Sequence, residues 1–230
     1  RLLEDARAKK CACMRLKVIT RRNRCYDMES ARMALGETSP SPLAKAHDFV
    51  VFVNCGVLGP LLAERPGAYW ATQLTSALRD QTKLTGLTIN CGGKLGIRHP
   101  HIQSMVWATD AEGLEIILKN GAVYDCGVET LGTDTRSYLI NRYELGLSRH
   151  ILKAGFQIEA LFTGEARRYN QAQFSAKCDD VWNRKNLDYS AHASSLLFWK
   201  VSRQYPESVA QRAKLQDERL VRFMVAPSLS

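Results

Sequence analysis

The chain has 230 residues, 45% hydrophobic and 24% charged, the proportions of a globular protein that can bury one sizeable core. Its 32 Lys and Arg outnumber 23 Asp and Glu, and the net charge of +9 attracts phosphate-bearing or acidic partners as readily as it solvates a basic surface. Nothing approaches the roughly 18 consecutive apolar residues of a membrane helix, so no transmembrane segment is expected.

No signal peptide opens the chain, and its first residue is Arg rather than Met. A fragment or processed form is therefore the expectation, and a removed targeting segment would direct it to the secretory-pathway lumen or an organelle. The basic residues gather in Arg1–Arg24 and Arg203–Arg222. Residues 1–14 read as a basic N-terminal extension, 15–202 as one α/β domain, and 203–230 as a charged C-terminal helix and tail.

In chain order, "RLKVIT" (Arg15–Thr20) has the composition of a strand. "DMESARMAL" (Asp27–Leu35) reads as a helix with Asp27 at its N-cap, where a carboxylate accepts free backbone N–H groups. "GETSPSP" (Gly36–Pro42) is a loop by composition, and "FVVFV" (Phe49–Val53) is a buried strand. "AYWATQLTSALRD" sets Trp70, Leu74, Ala77 and Leu78 on one helical face.

"KLTGLTIN" (Lys83–Asn90) is the next strand, followed by a glycine-rich loop and a further strand candidate, "IQSMVWAT". "DAEGLEIILK" is a helix opened by Asp110, with Leu114, Ile117 and Leu118 facing inward. "YELGLSRHILKAGF" holds Tyr143, Leu147, Ile151 and Ala154 in register and ends at Gly155, a suitable C-cap. "FQIEALF" alternates as a strand, "SLLFWKV" is another, and Pro206–Phe223 reads as a terminal helix. This alternation of strands and helices predicts a layered α/β domain with a mostly parallel central sheet flanked by helices.

Seven cysteines, Cys11, Cys13, Cys25, Cys55, Cys91, Cys126 and Cys178, form no Cys-x-x-Cys pair, and no histidine pair completes a zinc pattern. No metal ligand set is expected from them. Cys55 and Cys91 follow apolar strands, where a buried thiol acts as a small hydrophobe. No Gly-x-Gly-x-x-Gly opens a helix and no Gly-x-Ser-x-Gly elbow occurs, which argues against a Rossmann dehydrogenase and a serine hydrolase.

In an open parallel sheet, ligands bind beyond the carboxyl ends of the strands. Three strands here end alike, in "RRNRCYD", "NCGVLGP" and "NCGG". Parallel strands would bring Asn23, Asn54 and Asn90 to one edge, and glycines beside them would let backbone approach a ligand. Asn and Gly also simply end strands and make turns.

These segments resemble a GT-A-type glycosyltransferase, in particular proteins related to the rhamnan-synthesis F group. "RRNRCYDMESARMAL" and "DFVVFVNCGVLGPLL" are similar to that family's donor-contacting helix and its apolar strand ending in Asn. "KLTGLTINC", "HPHIQSMVWATDAEGLEIIL", "YELGLSRHILKAGFQI" and "SAHASSLLFWK" follow in the family's order, so the likeness runs over residues 15 to 201. It implies a GT-A-like fold and a transferase that moves a sugar from a nucleotide-sugar donor to a glycan hydroxyl in polysaccharide biosynthesis. The other reading is a catalytically inactive relative serving as a subunit, with protein or RNA partners in a ribonucleoprotein or organellar assembly.

The resemblance also implies roles. Arg22, Asn23, Asp27, Asn54, Gly56 and His192 fall at donor-binding positions, and Glu144 at that of the catalytic base. Asp27 taken alone is a helix cap, and Glu144 taken alone is a favourable first-turn carboxylate. After His192 the family's Pro and Glu are replaced by Ala193 and Ser195. Many GT-A enzymes hold Mg²⁺ or Mn²⁺ with Asp-x-Asp where this chain has Asn54-Cys55-Gly56, which offers no carboxylate to a hard cation. Metal-independent donor binding, or no catalysis, is the expectation. His99 and His101, in "RHPHIQS", read as exposed loop histidines within reach of a donor or acceptor.

Overall fold

Valine and phenylalanine favour an extended backbone, and Phe49–Val53 forms strand β1. Instead of the buried strand expected, it is half-buried with Phe49 and Val53 exposed, because it lies at the edge of the described sheet. In the computed structural model the described residues are 19–20, 26–36, 39–58, 60, 70–90, 100–119, 138–161, 167–169 and 198–200. The proposed strand Arg15–Thr20 is described only at its last two residues, and the terminal segments 1–14 and 203–230 lie outside the described residues.

The main sheet holds β1, β3 (Thr82–Gly86), β6 (Val106–Asp110), β7 (Gln157–Ala160) and β8 (Arg167–Tyr169), in the order β1-β6-β3-β7-β8. Strand β6 is antiparallel to both β1 and β3, β3 is parallel to β7, and β7 is antiparallel to β8. The expected mostly parallel sheet is thus corrected to a mixed one with a single parallel pairing among the described strands. The physical reason lies between β3 and β6. There the described chain folds into two short strands, β4 (Ile89–Asn90) and β5 (His101–Ile102), which pair antiparallel and return β6 beside β3 reversed. "KLTGLTIN" and "IQSMVWAT" are each two strands rather than one. A further ribbon pairs β2 (Val57–Leu58) with β9 (Trp199–Lys200).

Strand alternation sends side chains to two faces. On one face Leu84, Trp107 and Ile158 meet helices α1 (Met28–Leu35), α2 (Pro42–Lys45), α4 (Ala111–Lys119) and α5 (Leu145–Lys153) through Met28, Leu35, Ala44, Ile117, Leu118, Leu147 and Ile151. The other face carries Val106 and Ala108 against Leu74 of α3 (Trp70–Thr75), Leu78 and Phe198. The protein is therefore a layered α/β structure. Each fully buried aliphatic side chain contributes about 1.5–3 kcal/mol relative to exposure.

Local signals account for several element ends. Asp110 closes β6 and caps α4, its Oδ1 accepting the Gly113 N–H at 2.8 Å. Its Oδ2 also pairs with Lys83 Nζ at 2.9 Å, and Glu112 joins at 2.8 Å. Burial lowers the Lys83 pKa, but hydrogen bonds to Glu112 and Asp110 outweigh it and hold the ammonium above its ordinary value. Tyr143, just before α5, and Leu147 and Ile151 within it are buried as the spacing predicts, whereas Ala154 is exposed because the helix ends at Lys153. Gly155 takes φ of 88°, the left-handed turn expected of a helix end.

Helix α4 meets the sheet at Gly113. A Cβ there would stand 2.4 Å from the Lys83 carbonyl oxygen and 2.3 Å from Thr109 Oγ1. The obstacle includes backbone, so Gly113→Ala is expected to destabilise the protein by about 1–3 kcal/mol despite alanine's better helix propensity. The urea unfolding midpoint, compared with wild type, checks this.

A second expectation concerns pH. Burial first, then the positive charges of Arg149, Lys153 and Arg142, hold the His150 imidazole below its ordinary value of 6.5. The unfolded chain then takes up this proton at a higher pH than the folded chain. Stability from this group is complete above pH 6.5 and declines as pH falls toward the folded-state value. Thermal unfolding on either side of pH 6.5 should show a smaller loss of Tm on acidification for His150→Gln than for wild type.

Candidate functional site

Because β6 is antiparallel to β1 and β3, and β3 is parallel to β7, strands β1, β3 and β7 point the same way. Their carboxyl ends share one rim of the sheet with the start of β6. At this rim β1 runs into Asn54, whose N–H donates to the Met105 carbonyl at 2.8 Å, one step past the Val53–Val106 pairing.

The Asn54 side chain has its two ends assigned by their partners. Oδ1 accepts the Gly56 N–H at 2.6 Å, a local turn that fixes the amide plane. At the NH₂ end, Nδ2 donates to Asp27 Oδ2 at 2.5 Å. Asn54, Gly56 and Asp27 are thus gathered at one place. Cys55, expected to be buried, is exposed instead, because the strand has ended and the turn directs it outward.

Asp27 occupies the position before α1 but does not cap it with its side chain. Its backbone is already helical, with φ of −74° and ψ of −14°, while a side-chain cap needs an extended residue. The expected cap is replaced by the carboxylate's bond across to β1. Tyr26, immediately before it, is 58% exposed and takes φ of 53°, a left-handed conformation costly for a tyrosine.

Glu144 reaches the same rim from another direction. The chain makes a wide turn over Ile140–Glu144, closed by the Leu145 N–H to the Ile140 carbonyl, five residues back. Such widened turns re-aim a side chain and are frequent at functional sites. Glu144 stands at the positive end of α5, but its side chain does not cap that helix. Instead Oε1 accepts the Ser104 N–H at 3.2 Å and the Ser104 hydroxyl at 3.4 Å. Among the described residues Oε2 has no hydrogen-bond partner.

Ser104 and Met105 are adjacent, so one peptide joins the two halves: Ser104 holds Glu144, and Met105 holds Asn54 and through it Asp27. Ser104 lies within "IQSMVWAT", but nothing local marks its hydroxyl, since its partner is 40 residues away.

Other expected residues lie elsewhere. Asn90 sits in the β4–β5 ribbon opposite His101 rather than at the end of a main-sheet strand. His101 is only 4% exposed, not a surface histidine, because β5 is paired with β4 and bonded to α5 through the Ile102 N–H and Ser148 Oγ at 2.9 Å. Arg22, Asn23, His99 and His192 lie outside the described residues.

The donor atoms do not suit a resident Mg²⁺ or Mn²⁺. Hard cations take six or so oxygens, whereas Asn54 Oδ1 and Asp27 Oδ2 each face an N–H group of the protein. Among the described residues no group of three His, Cys, Asp or Glu could hold a metal. Likewise no helix there is long and apolar enough to cross a membrane. No family model, no curated protein and no solved structure matches this chain.

Proposed function

We propose that the protein is a glycosyltransferase of GT-A-like architecture, moving a sugar from a nucleotide-sugar donor to a glycan hydroxyl. The observation that supports this most is the single peptide, Ser104–Met105, between a carboxylate with an open oxygen and the Asn54–Asp27 pair. A general base needs such an oxygen within reach of the proton it removes.

In this reading Asp27, Asn54 and Gly56 hold the donor and Glu144 faces the acceptor. The acceptor's O–H proton passes to Glu144 Oε2 as its oxygen bonds to the anomeric carbon. The bond from that carbon to the diphosphate breaks, and its electron pair leaves with the nucleoside diphosphate. The excess positive charge of the chain, +9, favours a substrate that carries two phosphates.

The test is a panel of nucleotide sugars, followed by calorimetry for binding and by nucleoside diphosphate release in the presence of glycan acceptors. Binding of one donor with acceptor-dependent release supports the reading. A panel in which none binds or turns over ends it.

One observation favours an inactive, structural relative: Asn54 and Asp27 satisfy each other, as residues that only brace a fold would. Salt-sensitive RNA binding without nucleotide-sugar binding would establish that reading.

A further inference from the structure

We infer that Ser104 is a positioning residue that holds Glu144 Oε1 and so leaves Oε2 as the oxygen that takes the acceptor's proton. This goes beyond the proposed reaction by adding a residue to it, and it rests on that reading.

A glutamate side chain has three rotatable bonds, and fixing it costs about 1.5–2 kcal/mol of rotamer freedom. At Glu144 the only hydrogen bonds that oppose this freedom, among the described residues, come from Ser104. Both arrive at the same oxygen, one from the N–H at 3.2 Å and one from the hydroxyl at 3.4 Å. Two donors on Oε1 orient the carboxylate plane and give its oxygens different work. Met105, next along the chain, accepts the Asn54 N–H at 2.8 Å, so the group that aims the base is in register with the residue that would hold the donor.

Glu144 is itself the last residue of the widened turn Ile140–Glu144. That turn sets its approach and Ser104 sets its final angle. The two elements are far apart in sequence, and this contact is the one that joins the Glu144 carboxylate itself to the Ser104–Met105 peptide.

The experiment compares wild type, Ser104→Ala, Ser104→Thr, Glu144→Gln and the Ser104→Ala/Glu144→Gln double variant, using the donor and acceptor found by the panel. Ser104→Ala removes the hydroxyl but keeps the backbone N–H, so kcat is expected to fall about tenfold, the lower range for a hydrogen bond to a charged group. The donor KM stays within about twofold of wild type, since only the orientation of the base has changed. Ser104→Thr, which retains a hydroxyl, restores most of the rate. In the Glu144→Gln background Ser104→Ala costs nothing further, because a residue acting only through another loses its effect when that partner is gone.

The inference is overturned if Ser104→Ala turns over like wild type. A rate that threonine does not restore overturns it too, as does an equal added loss in the double variant, which would mark Ser104 as a fold residue alone. A wild-type protein that turns over no donor removes the proposed function and this inference with it. Wild-type turnover with an unaffected Ser104→Ala removes only the inference.

Discussion

In the proposed transfer reaction, Glu144→Gln is expected to lower the rate by about 10²–10⁴-fold while leaving affinity for the proposed donor within about twofold, the signature of a lost general base. The substitution suits the test because of how the side chain is held. Ser104 presents two donors, its N–H and its hydroxyl, to Oε1. A glutamine at this position must turn its carbonyl oxygen to Ser104, which leaves its NH₂ where Oε2 stood. The lone pair of that nitrogen is delocalised into the amide and does not accept a proton, so the shape survives and the basicity is lost. Glu144 is half-buried, and the isosteric replacement leaves no cavity. Initial rates across acceptor concentrations, with calorimetry for the donor, separate the two effects. An undiminished rate in Glu144→Gln would remove Glu144 from the mechanism whatever the donor proves to be.

What could be read in the chain beforehand follows how local each feature is. Helix α4 was fully legible: Asp110 as cap, with Leu114, Ile117 and Leu118 inward, are all set within nine residues by the pitch of a helix. The core face of α5 was legible for the same reason. The direction of β6 was not. It depends on whether the chain between β3 and β6 crosses over or doubles back, and the short β4–β5 pairing that decides this carries too few residues for a pattern. The burial of His101 is illegible for the same reason, since its strand is covered by β4 and α5, partners from other segments.

The site divides likewise. That Asn54 ends a strand followed by a turn was plain from "FVVFVNCG", and its bond to Gly56 spans two residues. Its bond to Asp27 spans 27 residues and the Ser104–Glu144 contact spans 40, separations at which composition and periodicity hold no information. The residues were named from family likeness, and their proximity is a property of the folded chain. Cys55 shows the opposite error. A thiol after an apolar run resembles core, yet one residue past the strand end is enough to expose it.

The largest expected effect on stability is at Trp107. It is 1% exposed, and its ring stacks on Phe52 with centroids 5.4 Å apart and planes 16° apart. Trp107→Ala is expected to destabilise by about 3–5 kcal/mol, from lost burial and the cavity left between β1, β6 and α1. Trp107→Phe should cost far less than its lost volume suggests. The indole N–H is buried without a hydrogen-bond partner among the described residues, and such an orphan donor carries a penalty of about 1–3 kcal/mol that phenylalanine removes. Urea unfolding of both variants, followed by far-UV circular dichroism, checks the ordering. If Trp107→Phe proves as damaging as Trp107→Ala, the indole N–H has a partner and the packing account is incomplete. The stack also bears on the rim: Phe52 precedes Asn54 by two residues, and the register that pairs Phe52 with Trp107 is the one that sets the Asn54 N–H against Met105. A cavity at Trp107 loosens that register, so Trp107→Ala should weaken the proposed donor binding as well as the fold, whereas Trp107→Phe should preserve both.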